Sequence, residues 1–212
     1  MNLNQPKGIM SHVRYALAAL LFVGAGCVSA PSDSSAPALS ETPQSISQPD
    51  QAMVPTNRAP GILSDRKIQN KQVSLQTPRG EIVFELFPDT APLAVSNFVS
   101  LAEMGFYDDV IFHRREEGFV IQGGDPLGTG RGGPGYTFED ELDDSYTYER
   151  GIVAMANRGP NTNGSQFFIM LADATQLPKA YTIFGRVTKG MDVVDAIQIG
   201  DAMTKVTIED KK

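Results

Sequence analysis

The strongest constraint in this sequence is how often it is interrupted after Lys67. Apolar runs there are short, and Gly, Pro or Asn closes nearly every one. Gln72 to Gln76 alternates, with Val73 and Leu75 on one face, and Pro78-Arg79-Gly80 then turns the chain. Glu81 to Phe87 alternates again, with Ile82, Phe84 and Leu86 opposite Glu81, Val83 and Glu85, so the two segments predict an antiparallel hairpin. Further strand-like runs follow at Val110 to Arg114, Val120 to Gln122, Ile152 to Ala156, Gln166 to Leu171, Thr182 to Val187 and Lys205 to Ile208. Many short strands joined by tight turns make a barrel or a sandwich. Two helices interrupt them. The first has Thr90 as N-cap, Pro92 in its first turn, an apolar stripe of Ala94, Phe98, Leu101 and Ala102, and Gly105 at its end. The second covers Met191 to Gln198, where Val193, Val194 and Ile197 share a face and Gly200 follows.

The first 65 residues obey different rules. Lys7 and Arg14 flank the start of an apolar stretch, Ala16 to Gly26, that is too short for a membrane span of roughly 20 residues and reads as an export signal. Met10 is an alternative start. Val23-Gly24-Ala25-Gly26-Cys27 resembles a bacterial lipobox, in which Cys27 becomes the lipidated first residue, although Gly24 departs from the usual Leu. Val28-Ser29-Ala30 offers ordinary cleavage after Ala30 instead. From residue 28 to 65 the chain turns to Ser, Pro, Ala, Gln and Thr without an aromatic residue, a composition that cannot bury a core. Such a linker reaches about 35 Å as a coil and on the order of 100 Å if polyproline-like. The expected organisation is a signal over 1–27, a linker over 28–65 and one domain over 66–212.

Composition removes several functional classes. A net charge of −7 without a long basic cluster argues against nucleic acid. With one cysteine, Cys27, no intramolecular disulfide can form. His113 is the one histidine past the signal, so no transition-metal site is expected, and it is read as a hydrogen-bonded structural residue. Gly128-Thr129-Gly130-Arg131-Gly132-Gly133 matches a dinucleotide-binding pattern literally, but Pro134-Gly135 follows where a helix must begin, so the segment is a loop. The acidic run Glu139 to Asp144 lacks the spacing of a calcium loop. Neither cofactor nor metal is expected.

Two longer patterns are more specific. Phe112-His113-Arg114 with Gly118-Phe119-Val120-Ile121-Gln122-Gly123-Gly124-Asp125, followed by Met155 through Phe168 (MANRGPNTNGSQFF), resembles the paired signatures of cyclophilins. The likeness runs from about Lys67 to the C-terminus and includes Phe138-Glu139-Asp140-Glu141 and Phe184-Gly185-Arg186-Val187. It implies a mainly β fold, a closed eight-stranded antiparallel barrel capped by two α-helices. It also implies peptidyl-prolyl cis-trans isomerase activity, with Arg114 as the catalytic group. Phe119, Val120, Phe168, Leu177 and Tyr181 would form the proline pocket, while Gln122, Gln166 and the backbone at Ala156 and Asn157 would hold the substrate's main chain.

Those residue types suit the task, because rotating an X-Pro bond requires loss of amide resonance and needs no nucleophile, metal or redox group. The barrier is about 18–20 kcal/mol. A fixed guanidinium can donate to the prolyl nitrogen once twisting restores its lone pair, an interaction absent from the planar amide. Some positions depart from the family. Gln176 falls where many members carry Trp, Tyr181 where His is common, and Val120 where Met is frequent, while Arg115-Glu116-Glu117 replaces an apolar pair and proline. Expected partners are proline-containing segments of exported proteins, whose folding a monomer would assist from the periplasmic side of a bacterial cell envelope, lipid-anchored at Cys27 or soluble after cleavage. A tethered module that binds proline segments without catalysis is the competing reading.

Overall fold

The computed structural model describes residues 58–211. The expected signal, Cys27 and the linker up to residue 57 lie outside the described residues. In chain order the elements are α1 (Asp65–Ile68), β1 (Lys71–Thr77), β2 (Gly80–Leu86), α2 (Pro92–Glu103), β3 (Val110–Ile111), β4 (Arg114–Glu116), β5 (Val120–Gly123), β6 (Ile152–Met155), β7 (Phe167–Met170), β8 (Ile183–Lys189), α3 (Met191–Ala196), β9 (Ala202–Met203) and β10 (Lys205–Asp210). Ordered packing begins upstream of the first alternating strand: Ala59 and Leu63 lie on the core, and the Leu63 amide donates to Ser96 Oγ at 2.9 Å.

Eight strands form one antiparallel sheet in the order β10-β1-β2-β8-β6-β7-β5-β4. The predicted hairpin is β1–β2, with Thr77 paired to Gly80 across the turn. The expected closure is overstated. Among the described residues no ladder joins β4 to β10; the two-residue pair β3–β9 forms a separate sheet just upstream of those two edge strands. The reason is length, since Val110–Ile111 and Ala202–Met203 pair over two positions before each chain turns away.

The helices also differ in detail. Ala91, not Thr90, is the N-cap of α2 and makes no side-chain cap, while the Thr90 hydroxyl points back to Phe87 O. The exposed N–H groups are met from afar, because Leu93 and Ala94 donate to the two Glu141 carboxylate oxygens at 2.9 and 2.8 Å. A helix start needs such acceptors, and a carboxylate there also faces the positive end of the helix dipole. At the other end Gly105, with φ +71°, lets Phe106 N reach Leu101 O at 3.0 Å. The second helix, α3, stops at Ala196, two residues before the expected end, where Ile197 turns extended and buries its side chain.

Two apolar layers result. Inside the sheet, Phe84, Phe98, Tyr107, Phe167 and Phe184 pack with centroids 4.7–6.3 Å apart, and α2 presses Val95, Phe98 and Leu101 onto them. On the opposite face of β5, β6 and β7 lies a smaller layer built on Val120, Ala154, Phe168 and Met170. Alternation along each strand divides the two, as Ile121, Val153 and Ile169 point inward and Val120, Ala154 and Phe168 outward.

Candidate active site

The outer layer is the floor of a cavity of about 520 Å³. β5 brings Val120 and Gln122, and β7 brings Phe168, which faces Gln122 across the ladder. Phe119 stands at the start of β5, held by its amide on Glu116 O and its carbonyl on the Leu171 amide. Leu177 and Tyr181 come from the loop after β7. The Tyr181 ring meets Phe168 edge-on at 5.5 Å and 87°. Its backbone is gripped twice by the buried Tyr148 hydroxyl, which donates to Tyr181 O at 2.9 Å and accepts from Tyr181 N at 3.0 Å. Val120 and Phe168 are nearly sealed from solvent, so the floor is apolar and rigid while the rim is open.

Arg114 borders this floor on β4, directly opposite Gln122 on β5. A relay of amides fixes its direction. Arg114 Nη1 donates to Gln122 Oε1 at 2.9 Å, Gln122 Nε2 to Gln166 Oε1 at 2.9 Å, and Gln166 Nε2 to Gly132 O at 2.8 Å. A second partner is local: Glu116 Oε1 accepts from Arg114 Nη2 at 2.6 Å and from Nε at 3.1 Å. Arg115 points elsewhere, tying β4 to α3 through Ile197 O at 3.0 Å and pairing with Glu117 at 2.9 Å. The charged triplet that departs from the family pattern therefore has a partner for each side chain.

Opposite Arg114 the wall is backbone. The Ala156 amide is already given to Gln166 O at 2.9 Å, so this position offers a ligand its carbonyl. The Asn157 side chain is likewise engaged: Nδ2 donates to Ala180 O at 2.7 Å and Oδ1 accepts from Gly159 N at 3.2 Å. Gln166 lines an adjoining concavity of about 560 Å³, which shares Gln122, Gly130, Ala156 and Asn157 with the first. All the other expected site residues in the domain border the first cavity.

Sequence reasoning missed His113, Thr129 and Gly130 in the main wall, and Arg131 and Arg158 in the neighbouring one. The glycine run 128–133 was the available signal, and a buried carboxylate shapes it. Asp125 accepts from Leu127 N at 2.8 Å and Thr129 N at 3.0 Å, and a Cβ at Gly132 would fall 1.9 Å from Asp125 Oδ1. Burial pushes the Asp125 carboxyl up, but the loop N–H groups together hold it below the ordinary aspartate value. The same backbone intimacy recurs at Gly124, with φ +81°, where a Cβ would sit 2.3 Å from Ser165 O. His113 is not hydrogen-bonded as expected, since neither of its buried ring nitrogens has a partner among the described residues, and burial lowers its pKa, opposed by Asp125 and assisted by Arg114.

A sealed apolar floor, a guanidinium held at its edge and the Ala156 carbonyl on the facing wall share one open groove. Comparison with known proteins gives the chain its family. The family model described as cyclophilin type peptidyl-prolyl cis-trans isomerase/CLD matches residues 72–211. Peptidyl-prolyl cis-trans isomerase CYP18-1 of Arabidopsis thaliana is 50% identical over 130 residues, covering 59% of this chain and 81% of its own. The probable peptidyl-prolyl cis-trans isomerase A of Mycobacterium leprae is 47% identical over 154 residues, covering 64% and 85%. A solved cyclophilin type isomerase of Cryptosporidium parvum superposes with a TM-score of 0.62 at 38% identity, covering 66% of this chain and 97% of that one. The same protein was also solved in the presence of the dipeptide Ala-Pro. The chain belongs to the cyclophilin-type peptidyl-prolyl cis-trans isomerase family, and its enzyme class is that of an X-Pro isomerase.

Proposed function

We propose that this isomerase binds proline-containing segments in the 520 Å³ cavity and lowers the rotational barrier chiefly through Arg114. The observation that carries this reading is the aim of the guanidinium, fixed at the edge of the Val120–Phe168 floor by the Gln122–Gln166 relay. The proline ring fills the space over Val120, Phe168, Phe119, Leu177 and Tyr181. Ala156 O and the backbone at Asn157 hold one flank of the peptide still while the other rotates. As the C–N bond twists, the prolyl nitrogen becomes an acceptor and takes a proton contact from Arg114. That charge-assisted bond exists in the twisted state alone and contributes about 1.5–3 kcal/mol. Exclusion of water by the apolar floor strengthens it. The dipeptide solved with the Cryptosporidium relative supports proline as the ligand class.

The clients in this reading are exported proteins whose slow X-Pro steps delay folding, and the domain works from a tether anchored by lipid at Cys27. The sequence pattern around Cys27 and the Pro- and Ser-rich segment behind it support this. No helix among the described residues is long and apolar enough to cross a membrane. The test is cell fractionation after labelling with a radioactive fatty acid. The chain should carry label and sediment with membranes, and Cys27→Ala should lose the label. Unlabelled protein in the soluble fraction would replace the anchor with cleavage after Ala30.

A further inference from the structure

We infer that Glu116 makes this site selective for proline segments that carry Lys or Arg close to the proline. The inference rests on Arg114 being the catalytic group. Arg114 and Glu116 lie two residues apart on β4, so their side chains leave the same face of the strand, and Glu116 pairs across the ladder with Val120 of the cavity floor. Glu116 does not line the cavity itself but stands at its edge beside Arg114, where a residue flanking a bound proline would pass.

The donors on Arg114 can be counted. A guanidinium has five N–H groups. Glu116 takes one from Nε and one from Nη2, and Gln122 takes one from Nη1, which leaves one on each terminal nitrogen. In the empty site Glu116 thus restrains Arg114 and offsets its charge. The pair is half exposed, with the side chains 43% and 51% accessible, and exposed ion pairs of this kind exchange partners at little cost. A substrate cation that pairs with Glu116 frees two more donors and restores the full charge of the guanidinium next to the prolyl nitrogen. A substrate carboxylate does the reverse, competing for Arg114 and facing repulsion from Glu116. Neither this cavity nor the adjoining one, which carries Arg131 and Arg158, is lined by a carboxylate, so Glu116 is the acidic group that meets the guanidinium.

The test is exchange spectroscopy on three proline peptides that differ in carrying Lys, Ala or Glu at the residues flanking the X-Pro pair, with the full chain, Glu116→Gln and Glu116→Asp. The Lys peptide should be turned over about fivefold faster than the Glu peptide at low salt, with the ratio falling as salt is raised. Glu116→Gln should bring that ratio to about one and raise the rate on the Ala peptide, while Glu116→Asp should keep the preference. An unchanged ratio in Glu116→Gln overturns the inference, because a merely structural ion pair has no reason to sense substrate charge. If the full chain accelerates none of the peptides, the assignment to Arg114 fails separately. The same comparison is then read from peptide affinities by chemical-shift titration, with the same two outcomes.

Discussion

Phe167 and Phe168 are adjacent on β7 and end in different worlds. Phe167 is sealed in the interior against Phe98 and Tyr107, at 5.5 and 5.9 Å and nearly perpendicular to both. Phe168 lies on the outer face with Tyr181 at its edge and the cavity above it. The interior layer has strand or helix on every side and is complete. The outer layer is roofed by loops, and where they stop short its apolar residues border the cavity. One sheet therefore presents a sealed face and a face that borders a cavity, and the two should answer to mutation differently.

The largest difference is expected in stability. Phe167→Ala should cost about 3–5 kcal/mol, as for other large-to-small changes in a closed core, and should lower the denaturant midpoint steeply. Phe168→Ala should cost about 1–3 kcal/mol, because the space it vacates joins the cavity beside it and leaves no sealed void, while weakening proline-peptide affinity about tenfold. Equal losses of stability with no change in affinity would erase the contrast between the faces.

Smaller effects test the polar supports of each layer by pH. Burial holds the Glu141 carboxyl above the ordinary glutamate value of 4.5, against the opposing pull of the Leu93 and Ala94 amides. The folded chain then binds this proton more tightly than the unfolded chain, so the stabilisation is full below 4.5 and is lost as pH rises through the folded value. Glu141→Gln should flatten that part of the pH–stability curve and cost about 1 kcal/mol or less at neutral pH, the amide oxygen still capping one N–H. His113, beside the cavity, has the opposite sign. With its pKa lowered by burial, its contribution is present above 6.5 and is lost as pH falls through the folded value. His113→Gln should remove that acid-side loss, measured as the melting temperature between neutral and mildly acidic pH.

Much of this arrangement is legible in the sequence, and the illegible parts share a cause. The β1–β2 hairpin and α2 follow from local alternation and a local stripe. By contrast, every residue of Phe167–Met170 is buried, so the division between core and pocket floor along β7 is set by what packs on each side and leaves no period to read. Glu141 caps α2 from 48 positions beyond Leu93, which no local capping pattern can reveal. The open seam beside β4 reflects ladder lengths, which short runs predict poorly. At the site, the expected residues other than Leu177 and Tyr181 lie within two long motifs, whereas Glu116 on Arg114, and Arg131 and Arg158 in the next concavity, become visible only when β4, β5 and the loop 128–133 are assembled in space.

The central claim is that one aimed guanidinium turns proline binding into isomerisation. It is tested most directly by comparing the full chain with Arg114→Ala and Arg114→Lys in exchange spectroscopy on one proline peptide, alongside peptide affinity and thermal stability. Arg114→Ala should lower the catalysed rate about 10- to 150-fold, the equivalent of one charge-assisted bond, with affinity changed far less and melting unmoved. Arg114→Lys should recover little, because a lysine ammonium lacks the planar fork that Gln122 and Glu116 hold in place. Full acceleration by Arg114→Ala would contradict the account.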